Sequence, residues 1–349
     1  MTDFRDEFQR LLESTYIPTV GDKSIIEKEF NKFLKNAFRN IPDKLFRYRK
    51  CDHYSLDSFD KGTIFLCNAS RFSDRYDSRV YVDSEKVLRE MINSFNSAIS
   101  DLLKDIRSKN PNLNTKKVAK ICYYIECGYS DQEIIDKVIN DDYADFIKKI
   151  ETDMKAREMR FRNNVKTAKL GCFTESVQSK FMWDHYAGGY TGFALEYNLK
   201  EFIYKSQWNP DTFISVFPVI YTDNMPDVTD DEGNAYMREK CLKEEWMRSW
   251  APLYHSIPLN ALHVYKPYLY KDKAEYSHER EWRMIYYEAM NNDDFTLISD
   301  FDSLKGIYYG PDISSDNRNI LHENAQRRRI AEYDVDFDLE SRKYDLKVL

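Results

Sequence analysis

Residues 276–288 read YSHEREWRMIYYE, and whether they coil or extend settles what surrounds them. Alternation favours an extended strand. Side chains two positions apart share a face of β structure, so Glu279, Glu281 and Arg283 line one side and Trp282, Met284 and Tyr286 the other. The aromatic side reads as core. The charged side is either a solvated face, with the glutamates paired to Arg280 or Arg283, or the floor of a site.

Working outward, similar stretches recur. KLFRYRKCD (44–52) alternates, with Leu45, Arg47 and Arg49 on one face and Phe46 and Tyr48 opposite. GTIFLCNAS (62–70) reads as a buried strand that leaves into the polar loop SRFSDRYDS, and AKLGCFTES (168–176), TGFALEY (191–197) and FISVFPVIYTD (213–223) are further strands. SLKGIYYGPDIS (303–314) reads as strand, turn and helix start, and the last twenty residues supply one or two strands. Helical spacing covers 2–15 (Phe4, Phe8, Leu11, Leu12) and 23–39 (Ile25, Ile26, Phe30, Phe33, Leu34). It returns from about 83 to 167, where Ser130 and Glu133 make a capping-box start, and again over 233–250. The expectation is an α+β fold: a mixed, largely antiparallel sheet core with N-terminal helices over 1–43. Residues 44–349 then form a single domain with a helical insertion at about 83–167.

Composition narrows the function classes. The 349 residues are 42% hydrophobic and 15% aromatic, enough for a sizeable core, and the 32% charged residues are balanced in sign. A net charge of −7 disfavours broad nucleic-acid binding, which needs a basic surface; Arg327, Arg328 and Arg329 read as a solvated helix end. The six cysteines form no CxxC pair or zinc-like grouping, the N-terminus lacks the plan of a signal peptide, and no apolar run approaches a membrane span. A cytoplasmic protein away from membranes is the expectation.

Three polar sets rise from strand-like surroundings: Arg47 with Arg49, then Ser70 and Ser73 with Asp74 and Asp77, then Glu279 with Glu281. An arginine fork suits a diphosphate, a serine hydroxyl can orient a ribose, and two carboxylates can stabilise a sugar oxocarbenium. Together they fit cleavage of the nicotinamide–ribose bond of NAD, whose cationic leaving group needs no protonation. Trp183, Tyr186, Tyr190 and Phe193, around the glycine-stopped helix in FMWDHYAGGYTGF, either pack on the sheet or form a stacking wall for a nicotinamide or adenine ring, with His185 as a polar contact. His185 and His278 lack partners at metal-ligand spacing, so no resident metal is expected.

LFRYRKCDHYSLDSF, GTIFLCNASRFSDRYD, CFTES, FMWDHYAGGYTGFALEY, EREWRMIYY and IYYGPDIS resemble, in order, segments of a bacterial family catalogued as domain of unknown function 2971. That resemblance spans most of 44–349 and implies no settled reaction. A looser one is to the Arg–Ser–Glu plan of ADP-ribosyltransferases. It implies Arg47 (or Arg49) on the NAD phosphates, Ser70 as the motif serine, Glu281 as the catalytic acid and Glu279 as the residue that steers the acceptor. Such an enzyme consumes NAD by transfer of ADP-ribose to a macromolecular acceptor or by hydrolysis, and would suit a toxin or anti-phage effector. Two other classes account for the same residues. One is a metal-dependent nuclease or phosphohydrolase using Asp74, Asp77, Glu279 and Glu281; the other is a non-catalytic nucleotide- or protein-binding module.

Overall fold

The computed structural model describes residues 4–19, 21–72, 74, 77–108, 116–142, 145, 147–150, 152–156, 168–206, 212–243, 259–288, 293–338 and 346–349. The strands are β1 (Leu45–Arg49), β2 (Thr63–Cys67), β3 (Ala168–Thr174), β4 (Phe193–Tyr197), β5 (Thr212–Pro218) and β6 (Ile220–Thr222). They continue as β7 (Tyr270–Asp272), β8 (Glu281–Glu288), β9 (Phe295–Ser299), β10 (Leu304–Tyr309), β11 (Ala331–Phe337) and β12 (Leu346–Val348). Ten of them form one sheet, and β6 and β7 a separate parallel pair. Within the large sheet, among the described residues, only β10 and β11 run parallel, so the fold is α+β with a mixed, mostly antiparallel sheet.

The chain divides into two compact units. The first comprises Met1–Val80, Arg162–Pro226 and Pro258–Leu349, and holds all twelve strands. The second comprises Tyr81–Phe161 and Asp227–Ile257. The helical stretch expected at about 83–167 is thus joined in its unit by a second segment, which the sequence placed within the α+β domain. Val87, Met91, Phe95, Ile99 and Leu103 recur at helical spacing along Ser84–Arg107 and bury together with Ile134, Val138, Tyr236 and Met237. The capping box is reciprocal: Ser130 N–H donates to Glu133 Oε2 at 2.8 Å and Glu133 N–H to Ser130 Oγ at 3.4 Å.

In the first unit the pleat sorts β8 as its alternation implies. Trp282, Met284 and Tyr286 enter one core with Leu66, Phe173, Leu195 and Val216. Ile285 enters another with Ala168, Leu170, Phe217 and the helices Phe4–Ser14 and Lys23–Asn40, whose Phe8, Leu12, Phe33 and Ala37 are buried. The segment set apart as 1–43 therefore shares the core of this unit. Ile25 lies 58% exposed in the first turn of its helix, outside the buried stripe. FISVFPVIYTD makes two strands rather than one, with β5 pairing β8 and β6 pairing β7. β9, an edge strand whose Phe295 and Leu297 stay exposed, has no counterpart in the sequence reading.

One departure from a regular ladder positions the site. β3 gives one whole edge to β8, from Ala168↔Tyr287 to Thr174↔Glu281. Its other edge is divided: Thr174 pairs with Phe46 of β1, and Leu170 with Cys67 of β2. β1 and β2 thus part company at β3, leaving a fork in the sheet.

Candidate functional site

A cavity of about 380 Å³ opens at this fork. Its walls include Arg47 and Arg49 from β1, Phe65 and Cys67 from β2, Cys172 and Thr174 from β3, and Glu281 and Arg283 from β8. Phe46, Thr174 and Glu281 are successive cross-strand partners and so share a face; Arg47 and Arg49 belong to the opposite one. In an unbroken sheet those sets would face apart. The fork lets both line one hollow, whose size falls in the range of ligand pockets.

At one end stand two arginines with no ion-pair partner among the described residues. Arg47 is 9% exposed; its Nη2 donates to the Phe65 carbonyl at 2.6 Å, its guanidinium lies 5.5 Å from the Phe173 ring, and Nη1 has no partner among the described residues. Burial, with the like charge of Arg49 behind it, pulls the Arg47 guanidinium well below the ordinary arginine range, down to about 9. Burial lowers Arg49 as well. Arg49 is held by close backbone packing: a Cβ at Gly192 would stand 2.1 Å from the Arg49 carbonyl, so only glycine fits opposite it.

At the other end acids and bases interlock. Glu281, 4% exposed, accepts from Arg283 Nε at 2.8 Å and from Lys271 Nζ at 3.1 Å. Burial opposes its charge, but Arg283 and then Lys271 outweigh that and hold it at about 2, below its ordinary 4.5. Arg283 also donates to Asp77 at 2.9 and 2.5 Å and to the Tyr268 carbonyl, and these partners keep its charge despite full burial. Glu279 accepts from Tyr186 Oη and from Lys271 Nζ, both at 2.7 Å. Cys172 adds a thiol against Glu281, pushed well up by burial and by that carboxylate.

Glu279 does not extend β8 as the alternation suggested. It ends the 3₁₀ turn Ser277–Glu279, and Arg280 adopts a left-handed conformation (φ 49°, ψ 45°) before the strand begins at Glu281. The two carboxylates nevertheless converge, because Lys271 bonds both and Thr174 Oγ1 donates to the Glu279 carbonyl at 2.5 Å.

The other expected site residues separate. Tyr186 lines the cavity. Trp183 is fully buried, donates Nε1–H to the Val177 carbonyl at 2.7 Å and packs edge-on against Tyr48; it is a core residue rather than a stacking wall. His185 is exposed and stacks on Phe181, and Tyr190, left-handed at φ 67°, hydrogen-bonds the Lys180 carbonyl; neither lines the cavity. Ser70 is exposed outside the lining. The tight 3₁₀ turn Ala69–Arg71 buries Ala69 and turns Ser70 outward, while Arg71 and Phe72 reach the cavity. Ser73 lies outside the described residues.

Three residues around the site were not singled out from the sequence. Lys271 sits in YLYKDKAEY, which has no pattern of note. Buried Arg5 and half-buried Glu175 pair at 2.5 Å beside β8, where Arg5 also donates to the Glu281 carbonyl and Glu175 accepts from Trp282 Nε1 at 2.8 Å. A strand-adjacent acid such as Glu175, in CFTES, was the one readable hint. Among the described residues no group of three or more His, Cys, Asp or Glu side chains is arranged to hold a metal ion. An incoming Mg²⁺ would have to compete with Lys271 and Arg283 for Asp77, Glu279 and Glu281. No helix of the described residues is long and apolar enough to cross a membrane.

Residues 182–284 match the family described as Protein of unknown function (DUF2971), which bears out that resemblance over a shorter stretch than the motifs suggested. The match carries Tyr186, Lys271, Glu279, Glu281 and Arg283 and leaves Arg47 and Arg49 outside it. No curated protein and no solved structure matches the chain.

Proposed function

We propose that the forked-sheet cavity binds NAD and cleaves its nicotinamide–ribose bond, passing ADP-ribose to water or to a macromolecular acceptor. The observation that carries this reading is the separation of charge within one hollow. Arg47 is buried with an unused donor, Arg49 beside it is half-buried, and neither has an ion-pair partner among the described residues, while Glu279 and Glu281 converge at the other end. A ligand that complements both ends carries an anion at one and a cation at the other. NAD does so, with its diphosphate and its nicotinamide ring.

In this reading Arg47 and Arg49 take the diphosphate, the planar fork matching its oxygens. The C1′–N bond breaks with its electron pair going to the nicotinamide nitrogen, so the leaving group departs neutral. Glu281, ionised and fixed by Arg283 and Lys271, stabilises the oxocarbenium left behind without reorganising. Water or an acceptor heteroatom then bonds to C1′ and loses its proton to solvent or to a nearby carboxylate. Glu279, held by Tyr186, faces the same space and would orient that nucleophile.

The test is release of free nicotinamide from NAD by the purified protein beside Glu281→Gln. Loss of a preorganised charge at the reacting centre predicts a rate lower by roughly 10²–10³-fold. Equal turnover by both proteins removes Glu281 from the chemistry.

A further inference from the structure

We propose that Lys271 is a positioning residue: its ammonium, within hydrogen-bond distance of both Glu279 and Glu281, binds the two carboxylates into one unit and keeps the acid that meets the sugar ionised. The inference rests on the reading of Glu281 as that acid. Lys271 comes from β7, the short parallel partner of β6, so it reaches the acids from outside the large sheet. Its side chain is 6% exposed, its Nζ lies 2.7 Å from Glu279 and 3.1 Å from Glu281, and the Tyr276 ring caps it at 4.1 Å.

Glu279 stands in a turn and Glu281 on a strand, with a left-handed residue between them. Their backbones therefore do not fix their carboxylates side by side. A single cation between the two does. Burial works against charge on Lys271, but Glu281 and Glu279 hold it well above the ordinary lysine range. Without it, two buried acids would share the remaining cation, and like charges that close cannot both stay ionised. Arg283 could not serve both, because Asp77 engages its other nitrogens. The groups that face Lys271 in this cluster are Glu279, Glu281, Asp77, Asp74, Arg283, Tyr186, Tyr276, Cys172 and Tyr221, with Arg5 behind at the Glu281 carbonyl. Lys271 and Arg283 are the cations that bond the carboxylates themselves.

The experiment compares the native protein with Lys271→Met, which keeps the stem and removes the charge, and Lys271→Arg, which restores it. Two readouts are followed against pH: nicotinamide release, and the ¹³C carboxyl resonance of Glu281, assigned by its loss in Glu281→Gln. In Lys271→Met both midpoints should rise by about one pH unit or more, a tenfold change in proton affinity, and Lys271→Arg should bring them back. Unchanged titration of Glu281 in folded Lys271→Met overturns the proposal and leaves Lys271 a packing residue. Should Lys271→Met not fold, Glu279→Gln asks the converse question. The Lys271 ammonium protons must then exchange with solvent faster than in the native protein at the same pH, and an unchanged exchange rate overturns the proposal. A native protein that releases no nicotinamide defeats the functional reading alone, since the carboxyl titration needs no substrate.

Discussion

Arg47→Met should make the ligand-free protein more stable while removing its response to a diphosphate ligand. The guanidinium is almost wholly buried, makes one bond to the Phe65 carbonyl at 2.6 Å, leaves Nη1 unused and neighbours Arg49. Its folded value of about 9 lies well below that of an exposed arginine. The folded state therefore binds fewer protons between those values, and stability rises with pH across that window. Below about pH 9 both states are protonated and the whole penalty is present. At ~1.36 kcal/mol per pH unit it is on the order of several kcal/mol. Methionine fills the same space without the charge but forfeits the bond to Phe65, about 1.5–3 kcal/mol for a charged donor.

The balance predicts that Arg47→Met gains about 2–3 kcal/mol at pH 7, measured by urea denaturation, and loses the dependence above pH 9. With ADP-ribose at a hundred times its Kd the native protein should gain about 2.7 kcal/mol and the variant almost none. Opposite signs for stability and binding mark a residue kept for a ligand. A variant that is less stable than the native protein yet still responds to ADP-ribose would refute this reasoning and make Arg47 a strut for the fork.

Two further outcomes follow from the same geometry. Glu281, depressed from 4.5 to about 2, contributes stability that is fully present above about pH 4.5 and lost as the pH falls through about 2. Glu281→Gln should flatten that acid limb and cost about 3–5 kcal/mol at pH 7, because it leaves Arg283 and Lys271 buried with less charge to face; urea denaturation across pH 2 to 7 reads both. Ser70→Ala should shift stability by less than about 0.5 kcal/mol and leave nicotinamide release unaltered. A tenfold drop in release would return the serine to the site.

Local pattern carried much of the fold. Period-two alternation in 44–52 and 276–288 depends only on neighbours along the chain; the strands cover Leu45–Arg49 and Glu281–Glu288, and the aromatic face of the second enters the core as expected. The capping box at Ser130 and the glycine stop after Tyr186 are equally local, the latter because Gly188 and Gly189 both take φ of 64°. β9 escaped because an edge strand with exposed apolar side chains lacks the buried face that alternation reports. The turn at Glu279 escaped because its left-handed residue is an arginine, which carries no marker for that conformation.

The site divides along the same line. Arg47, Glu279 and Glu281 stood out as charges in apolar strands, since residue type and period belong to the chain itself. Whether each charge is answered is another matter, because the partners lie far off in sequence: Asp77 for Arg283, Lys271 for the two glutamates, and none among the described residues for the Arg47 Nη1. Ser70 and Trp183 left the site for a related reason, one turned outward by a 3₁₀ turn and the other drawn into the core. The sequence by itself determined which segments extend and which side of each is apolar. The tertiary structure alone decided that β1 and β2 separate at β3, because pairing between strands over a hundred residues apart is set by the packing of the whole unit. That separation brings opposite faces of one sheet onto a single hollow.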